Sequence, residues 1–130
     1  ILVSDGEMNS GTVWESALLS SKLNLNNLIV IVDYNKFQAT GKSDEILNIK
    51  PLGKKWKSFG WDVIECNGNN HVSINSSLKL ILKNKSKPKI IIAHTIKGKG
   101  VSFMENDNNW HYRSPSKSEL NQAKIQLKIK

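Results

Sequence analysis

The sequence has little cysteine and no long apolar run, and each absence excludes a class of protein. Cys66 is the only cysteine, so neither an intrachain disulfide nor a cysteine metal cluster can form. No apolar stretch approaches the roughly 20 residues of a membrane-spanning helix, and no signal-peptide pattern is visible. We therefore expect a cytoplasmic protein with no membrane partner, because a single thiol suits a reducing compartment.

Arginine is also nearly absent, although the chain is strongly basic. Lysine and arginine total 19 against 11 acidic residues, which gives a formal charge of +8. The lysines are scattered, with short runs such as "GKKWK", "KSKPK" and "KGKG". This charge is typical of either an anion-binding protein or a solvated lysine-rich surface. We favour the solvated surface and expect no specific nucleic-acid partner, because no aromatic-interleaved basic stripe accompanies the charge.

Four short apolar runs predict the strands of a parallel sheet. Each run is nearly continuous and does not alternate with polar residues, which is typical of strands covered on both faces. The predicted strands are residues 1–3, 28–32, 61–64 and 90–93. Helical patterns occupy residues 12–25, 51–59, 72–82 and 116–129, with Ser116 or Ser118 as the cap of the last helix.

The order of these elements predicts one α/β domain over residues 1–130, with a parallel sheet and helices on both faces. Residues 97–116 form the one long stretch without a regular pattern, and we expect a functional loop there. Trp14, Trp56 and Trp61 are expected in the packed interior. Trp110 is expected either to cover a binding crevice or to anchor the loop.

Polar residues follow the first two predicted strands, at the sheet edge where ligands bind in such folds. Asp5 and Gly6 come directly after the first strand, and Asn35 follows the second. If the strands are neighbours, Asp5 and Asn35 face one crevice, where their oxygens suit Mg²⁺ and the Gly6 N–H can face a phosphate. The alternative is a pair of ordinary turns, since Asp-Gly and Asn-containing dipeptides commonly form turns.

Five segments, in order and at sensible spacing, resemble the thiamine-diphosphate-dependent transketolase family. They are "SDGEMNSGTVWES", "LNNLIVIVDYNKFQATG", "FGWDVIECNGNN", "PKIIIAHTIKGKGVSFMEN" and "WHYRSPSKSEL". The likeness is greatest to the separately encoded N-terminal subunits of bacterial transketolase-like enzymes. The resemblance implies the thiamine-diphosphate-binding fold, of which this chain would be the C-terminal part of the diphosphate-binding domain.

The resemblance assigns the two turns to a Mg²⁺ and diphosphate site. Asp5, Asn35 and the backbone carbonyl of Phe37 would bind Mg²⁺. Gly6 would bind the diphosphate of thiamine diphosphate through its N–H. From the residues alone, Glu7 is a candidate for cofactor binding near the metal or, equally, a solvated turn carboxylate.

The resemblance also assigns a role to the loop after the fourth strand. Lys97 and Gly98 match a segment that flanks the cofactor. His111 matches a histidine near the diphosphate and the reacting centre, where it would assist proton movement or bind substrate. The implied reaction is transfer of a two-carbon ketol unit between sugar phosphates, with the thiazolium ylid of the cofactor as nucleophile.

Three residues depart from the family pattern. Ser4 replaces the usual first glycine of the "GDG" motif, a mild change if this residue does not need a positive φ. Ser10 replaces a glutamate that takes part in contacts between active sites, and Tyr112 replaces the glycine that usually follows the histidine.

The resemblance further implies parts that these residues do not include. The family has an upstream segment with substrate-contacting histidines and a pyrimidine-binding C-terminal domain or subunit with an activating glutamate. We therefore expect a fragment, a split-gene subunit or a degraded product, inactive alone and working in a dimeric assembly on sugar phosphates. The alternatives are a catalytically inactive α/β module, or another enzyme of the cofactor family, of deoxyxylulose-phosphate synthase or 2-oxoacid dehydrogenase type.

Overall fold

Strands and helices alternate along the chain in the computed structural model, which describes residues 1–129. The strands are β1 (Leu2–Ser4), β2 (Ile29–Tyr34), β3 (Phe37–Gln38), β4 (Gly41–Lys42), β5 (Asp62–Asn67) and β6 (Lys89–His94). The helices are α1 (Gly11–Lys22), α2 (Ser43–Ile46), α3 (Leu52–Ser58), α4 (His71–Ile81) and α5 (Lys117–Gln126). Single 3₁₀ turns span Gly6–Asn9 and Asn108–His111.

Four strands form one parallel sheet in the order β1-β2-β6-β5, which confirms the predicted parallel sheet. Ser4 of β1 lies opposite Asp33 of β2, and Tyr34 of β2 lies opposite His94 of β6. All four strands therefore end at the same edge. The antiparallel hairpin of β3 and β4 was not predicted, because strands of two residues are too short to show a pattern.

Helices cover both faces of the sheet, as predicted. Alternate residues of β6 enter two separate cores, with Ile90 and Ile92 on one side and Ile91 on the other. The first core contains Trp56 of α3, and the second contains Ile81 of α4. The continuous apolar run of β6 thus reflects burial on both faces, which is the reason parallel strands lack alternation.

Tryptophan rings fill the core beneath α1 and α3. Trp56 lies 5.4 Å from Trp14 and 4.7 Å from Trp61, measured between ring centroids. The indole N–H of Trp61 donates to the carbonyl of Ala17 at 2.9 Å, and that of Trp14 donates to the carbonyl of Met8 at 2.8 Å. These bonds satisfy polar groups that burial would otherwise leave unpaired. The predicted packing role of the three tryptophans is confirmed.

The long loop after β6 is irregular, as predicted, and it is held by side chains. Trp110 donates through its indole N–H to the carbonyl of Phe103 at 3.0 Å, so this tryptophan anchors the loop. The side chain of Gln126 in α5 hydrogen-bonds both the N–H and the hydroxyl of Ser102. Ser116 and Glu119 form a capping box at the start of α5. Within residues 1–129, no helix combines the length and apolar character needed to cross a membrane.

We expect Ile92→Val to lower the free energy of unfolding by about 0.5–1.5 kcal/mol, because the lost methylene leaves a void in a packed core. Ile92 is 1% exposed. Ile125→Val removes the same group from a side chain that is 78% exposed, and should change stability little. Urea unfolding followed by tryptophan fluorescence measures both. Equal losses in the two variants would contradict the assignment of the core.

Candidate functional site

The two predicted turns meet at the carboxyl edge of the sheet because β1 and β2 are parallel neighbours. Ser4 is opposite Asp33, so Asp5 leaves β1 at the level of Tyr34, and Asn35 follows one residue later. Adjacent strands lie about 4.8 Å apart. The two strands are therefore neighbours, as the prediction of a shared crevice required.

Asp5 is a fully buried carboxylate with one unpaired oxygen. Its exposed fraction is 0%. Oδ2 accepts a hydrogen bond from the Ser43 hydroxyl at 2.9 Å, whereas Oδ1 has no hydrogen-bond partner among the described residues. Burial raises the pKa of Asp5, and the Ser43 hydroxyl and the backbone N–H groups of Lys36 and Gly6 oppose the rise. A buried anionic oxygen without a donor is costly unless a cation or ligand pairs with it.

The second turn holds its asparagine in a fixed position. The Oδ1 atom of Asn35 accepts a hydrogen bond from the N–H of Phe37 at 2.9 Å, which closes an Asx turn. Lys36, between them, has a φ of +72°, in the left-handed region. This sharp bend ends β2 and directs the chain into β3, so Asn35 and Phe37 stay beside the end of β1.

Six of the predicted residues line one cavity of about 330 Å³, which we call the β1–β2 cavity. They are Gly6, Glu7, Asn35, Phe37, Lys97 and His111. Asp5 is not on its wall but lies between two wall residues, Ser4 and Gly6. Gly98 lines a neighbouring cavity of about 500 Å³, which we call the linking cavity, together with Asn35 and Lys97. The fold thus brings residues from three loops together at one site.

The loop after β6 contributes a lysine and a histidine to the wall of the β1–β2 cavity. The Nζ atom of Lys97 lies 3.4 Å from Nδ1 of His111. Gly98 has a φ of +72°, and a Cβ there would lie 2.5 Å from the carbonyl oxygen of Met104. Only glycine fits this position, since both the backbone conformation and the close approach exclude a side chain.

Two of the three departures noted in the sequence, Ser4 and Tyr112, have backbone conformations that do not require glycine. Ser4 does not adopt a positive φ, and its N–H and hydroxyl both donate to the Glu7 carboxylate, at 2.7 and 3.1 Å. Tyr112 has a φ of −117°, which needs no glycine, and its ring packs against that of His111. Ser10 is exposed at the start of α1, and its hydroxyl lies 2.8 Å from that of Thr12.

Sequence reasoning missed Ser43, Gln38 and Ala39. Gln38 and Ala39 line the β1–β2 cavity from the unpredicted hairpin, where Gly41 in "ATGK" was the available turn signal. Ser43 bonds Asp5 across 38 residues of chain, and no spacing rule identifies such a pair.

The residues present fit a divalent cation of the Mg²⁺ type. A carboxylate oxygen, an amide oxygen and a backbone carbonyl are hard oxygen donors, and Mg²⁺ takes few protein ligands when phosphate and water supply the rest. The unpaired Oδ1 of Asp5 is the observation that favours this fit. Among residues 1–129, no group of three or more His, Cys, Asp or Glu side chains is placed to hold a metal ion.

These features define an α/β protein with a candidate cation and phosphate site at the carboxyl edge of a parallel sheet. The family described as "Transketolase, thiamine diphosphate binding domain" matches residues 1–130. The chain therefore belongs to this family of thiamine diphosphate-binding domains, and the resemblance found in the sequence is confirmed.

Relatives and solved structures agree with the family. The chain is 43% identical to an apulose-4-phosphate transketolase subunit from Actinobacillus succinogenes, over 98% of this chain and 46% of that protein. It is 40% identical to the 6-deoxy-6-sulfo-D-fructose transketolase subunit of a Clostridium species, over 80% of this chain and 38% of that protein. The transketolase structure from Campylobacter jejuni superposes with a TM-score of 0.91 at 27% identity, over 98% of this chain and 20% of that chain. The chain spans less than half the length of these relatives, and the superposition confirms the predicted fold class.

We expect Asp5→Asn to raise the free energy of unfolding at pH 7 in the presence of a chelator. The pKa of Asp5 is raised above its ordinary value of 3.8, so the folded state favours the protonated form. Its contribution to stability is therefore complete below pH 3.8 and is lost as the pH rises through the folded-state pKa. The neutral amide removes this loss, and the two proteins should converge as the pH falls toward 4.

Urea unfolding between pH 4 and 8 measures this difference. Asp44→Asn, at an exposed carboxylate that pairs with Lys50, serves as the control and should show no gain. An Asp5→Asn protein less stable than the parent at pH 7 would contradict the picture of an uncompensated buried charge.

Proposed function

We propose that this chain supplies the thiamine diphosphate and Mg²⁺ site of a transketolase-type transferase, which moves a two-carbon ketol unit between sugar phosphates. The observation that carries the proposal is the buried Oδ1 of Asp5, which has no donor within residues 1–129 and lies beside the Asn35 turn and a cavity bordered by Lys97. The relatives support the reaction class, since they are transketolase subunits by name.

The proposed Mg²⁺ ligands are the carboxylate of Asp5, the side chain of Asn35 and the backbone carbonyl of Phe37. A bound cation would compensate the buried charge of Asp5. The diphosphate would complete the coordination and neutralise the remaining cation charge. Ser43 holds the second carboxylate oxygen, so Asp5 cannot rotate away from the cation.

The proposed diphosphate contacts are the N–H of Gly6 and the ammonium group of Lys97. A Cβ on Gly6 would lie 3.5 Å from the Gln38 side chain, an ordinary contact, so packing within the chain does not require glycine there. The glycine instead leaves room on the cavity wall for a ligand. Glu7 also lines this wall, but its carboxylate accepts two hydrogen bonds from Ser4. These bonds partly offset its negative charge and so reduce its repulsion of the phosphates.

Thiamine diphosphate, when bound, supplies the nucleophilic carbon for ketol transfer. We propose that His111 is the protein's own proton donor at this centre. The ammonium of Lys97 can only donate, so Nδ1 of the neutral His111 ring accepts and Nε2 carries the ring proton. We propose that His111 donates this proton to a substrate oxygen.

A partner completes the proposed enzyme. Three relatives are named as transketolase subunits, which supports a two-subunit assembly. We propose a pyrimidine-binding C-terminal subunit or domain as the partner, in a dimeric assembly in the cytoplasm. This arrangement would enclose the cofactor between two protein surfaces and would exclude water from the reacting carbon.

We expect thiamine diphosphate to bind only in the presence of Mg²⁺, and Asp5→Ala to abolish the binding, because the metal loses its one carboxylate ligand. Isothermal titration calorimetry with Mg²⁺ or with chelator, with the partner subunit present, measures this. Asp44→Ala removes an exposed carboxylate outside the cavity and should bind normally. Metal-independent binding, or unchanged binding by Asp5→Ala, would refute the proposed site. Salt-sensitive nucleic-acid binding without cofactor affinity would support the inactive module.

We expect His111→Gln to lower kcat by about 10²–10⁴-fold without weakening cofactor binding, since a proton donor is lost but the diphosphate contacts remain. Steady-state ketol transfer by the complete assembly measures kcat. His71→Gln, at the exposed start of α4, is the matched control and should leave kcat unchanged. A normal kcat in His111→Gln would show that the proton comes from another group.

A further inference from the structure

A second polar cavity, of about 670 Å³, lies at the carboxyl ends of β5 and β6. We call it the β5–β6 cavity. Within the described chain its lining shares no residue with the β1–β2 cavity. The linking cavity lies between them, since it shares Asn35 and Lys97 with one and Asn69 and Thr95 with the other. The proposed cofactor site does not use the β5–β6 cavity, and its chemistry is distinct.

Three asparagines form one wall of this cavity, and each has its amide oxygen committed to a backbone donor. Asn67 accepts from the N–H of Asn69 at 3.0 Å, Asn69 accepts from that of Ile96 at 2.7 Å, and Asn70 accepts from that of Ser73 at 2.9 Å. A backbone N–H can only donate, so these bonds fix which end of each amide is oxygen. The amide nitrogens of all three donate to no other group in residues 1–129, and they remain available as donors to a ligand.

The wall is held against β6 by a glycine. A Cβ at Gly68 would lie 2.5 Å from Cγ2 of Thr95 and 2.9 Å from Cβ of Ala93. The N–H of Gly68 donates to the carbonyl of His94 at 2.8 Å. The donor groups are therefore fixed by packing and by backbone hydrogen bonds, so little ordering is needed when a ligand binds.

The charged groups of the cavity favour an anion. Lys36 and Lys99 both line it, and Lys36 forms no ion pair within the described part of the chain. Lys99 lies 3.1 Å from Glu105, so this carboxylate neutralises part of the lysine charge. The one lining carboxylate, Glu65, lies 2.8 Å from Nε2 of His94, which also lines the cavity.

We infer that the β5–β6 cavity binds a phosphate group, with the amide nitrogens of Asn67, Asn69 and Asn70 and the ammonium of Lys36 donating to the phosphate oxygens. Three amide donors and the ammonium of Lys36 match a ligand that is rich in acceptors and negatively charged, whereas the charge of Lys99 is shared with Glu105. Each amide oxygen already accepts one backbone N–H, so the amide nitrogens are the groups that this wall offers as donors to a ligand. The source of the phosphate is either a sugar phosphate or free inorganic phosphate, and this site does not depend on the proposed cofactor function.

The decisive variant is Asn70→Asp. Asn70 caps α4, and asparagine and aspartate are equally good caps, so the helix is retained. The substitution replaces one amide donor by an anionic oxygen that faces the ligand. We expect at least about tenfold weaker phosphate binding with unchanged thermal unfolding, since a hydrogen bond to a charged group is lost and repulsion is added.

Two controls isolate this effect. Asn48→Asp makes the same charge change at an exposed asparagine whose oxygen also accepts a backbone N–H, that of Lys50, outside the cavity. This control should retain the binding of the parent protein. Lys97→Met removes the cation of the β1–β2 cavity, so any phosphate binding that it abolishes belongs to that cavity and not to the β5–β6 cavity.

The probes are ribose 5-phosphate, inorganic phosphate and ribose, titrated calorimetrically into the protein in chelator without thiamine diphosphate. Saturable binding of ribose 5-phosphate alone identifies a sugar phosphate as ligand, and equal, competing binding of inorganic phosphate identifies the free anion. Ribose should not bind. The inference is overturned if neither phosphate binds, if Asn70→Asp binds as tightly as the parent, or if Asn48→Asp or Lys97→Met weakens binding as much. Loss of cofactor binding in Asp5→Ala would not affect this result.

Discussion

The parallel pairing of β1 with β2 is the constraint on which the rest of the structure depends. It fixes Ser4 opposite Asp33, and so decides that the carboxylate of Asp5 is buried beside the Asn35 turn. Burial of this carboxylate costs free energy of folding, because only one of its oxygens has a hydrogen-bond partner among the described residues. The hairpin of β3 and β4, which brings Ser43 to Asp5, is the part of the fold that stabilises this arrangement without a ligand.

The loop after β6 leaves the sheet at the same carboxyl edge and lies beside the turns that follow β1 and β2. Its path depends on Gly98, whose left-handed backbone leaves no room for a side chain next to Met104. Trp110 and the contact of Ser102 with Gln126 hold the far part of the loop. These contacts let a segment with little regular structure place His111 beside Lys97.

Much of the architecture could be predicted from the sequence because burial on both faces leaves a continuous apolar run. The run that forms β6 shows this most clearly. Strand ends were less predictable: β2 continues through Asp33 and Tyr34, since pairing with β6 persists where the residues become polar. At the site, Asp5 and Asn35 were identifiable because each directly follows a strand. Ser43 was not, because its contact with Asp5 depends on the tertiary fold.

The central position of β6 ties the two cavities together. Its last residue, His94, lines the β5–β6 cavity, and the loop that it begins carries Lys97 into the β1–β2 cavity. An insertion or deletion of one residue in β6 would reverse the faces of its side chains and shift both cavities at once. The two sites therefore cannot diverge through changes of strand length. Substitutions in the asparagine turn at residues 67–70, by contrast, leave the pairing of β1 with β2 unchanged and so do not disturb Asp5.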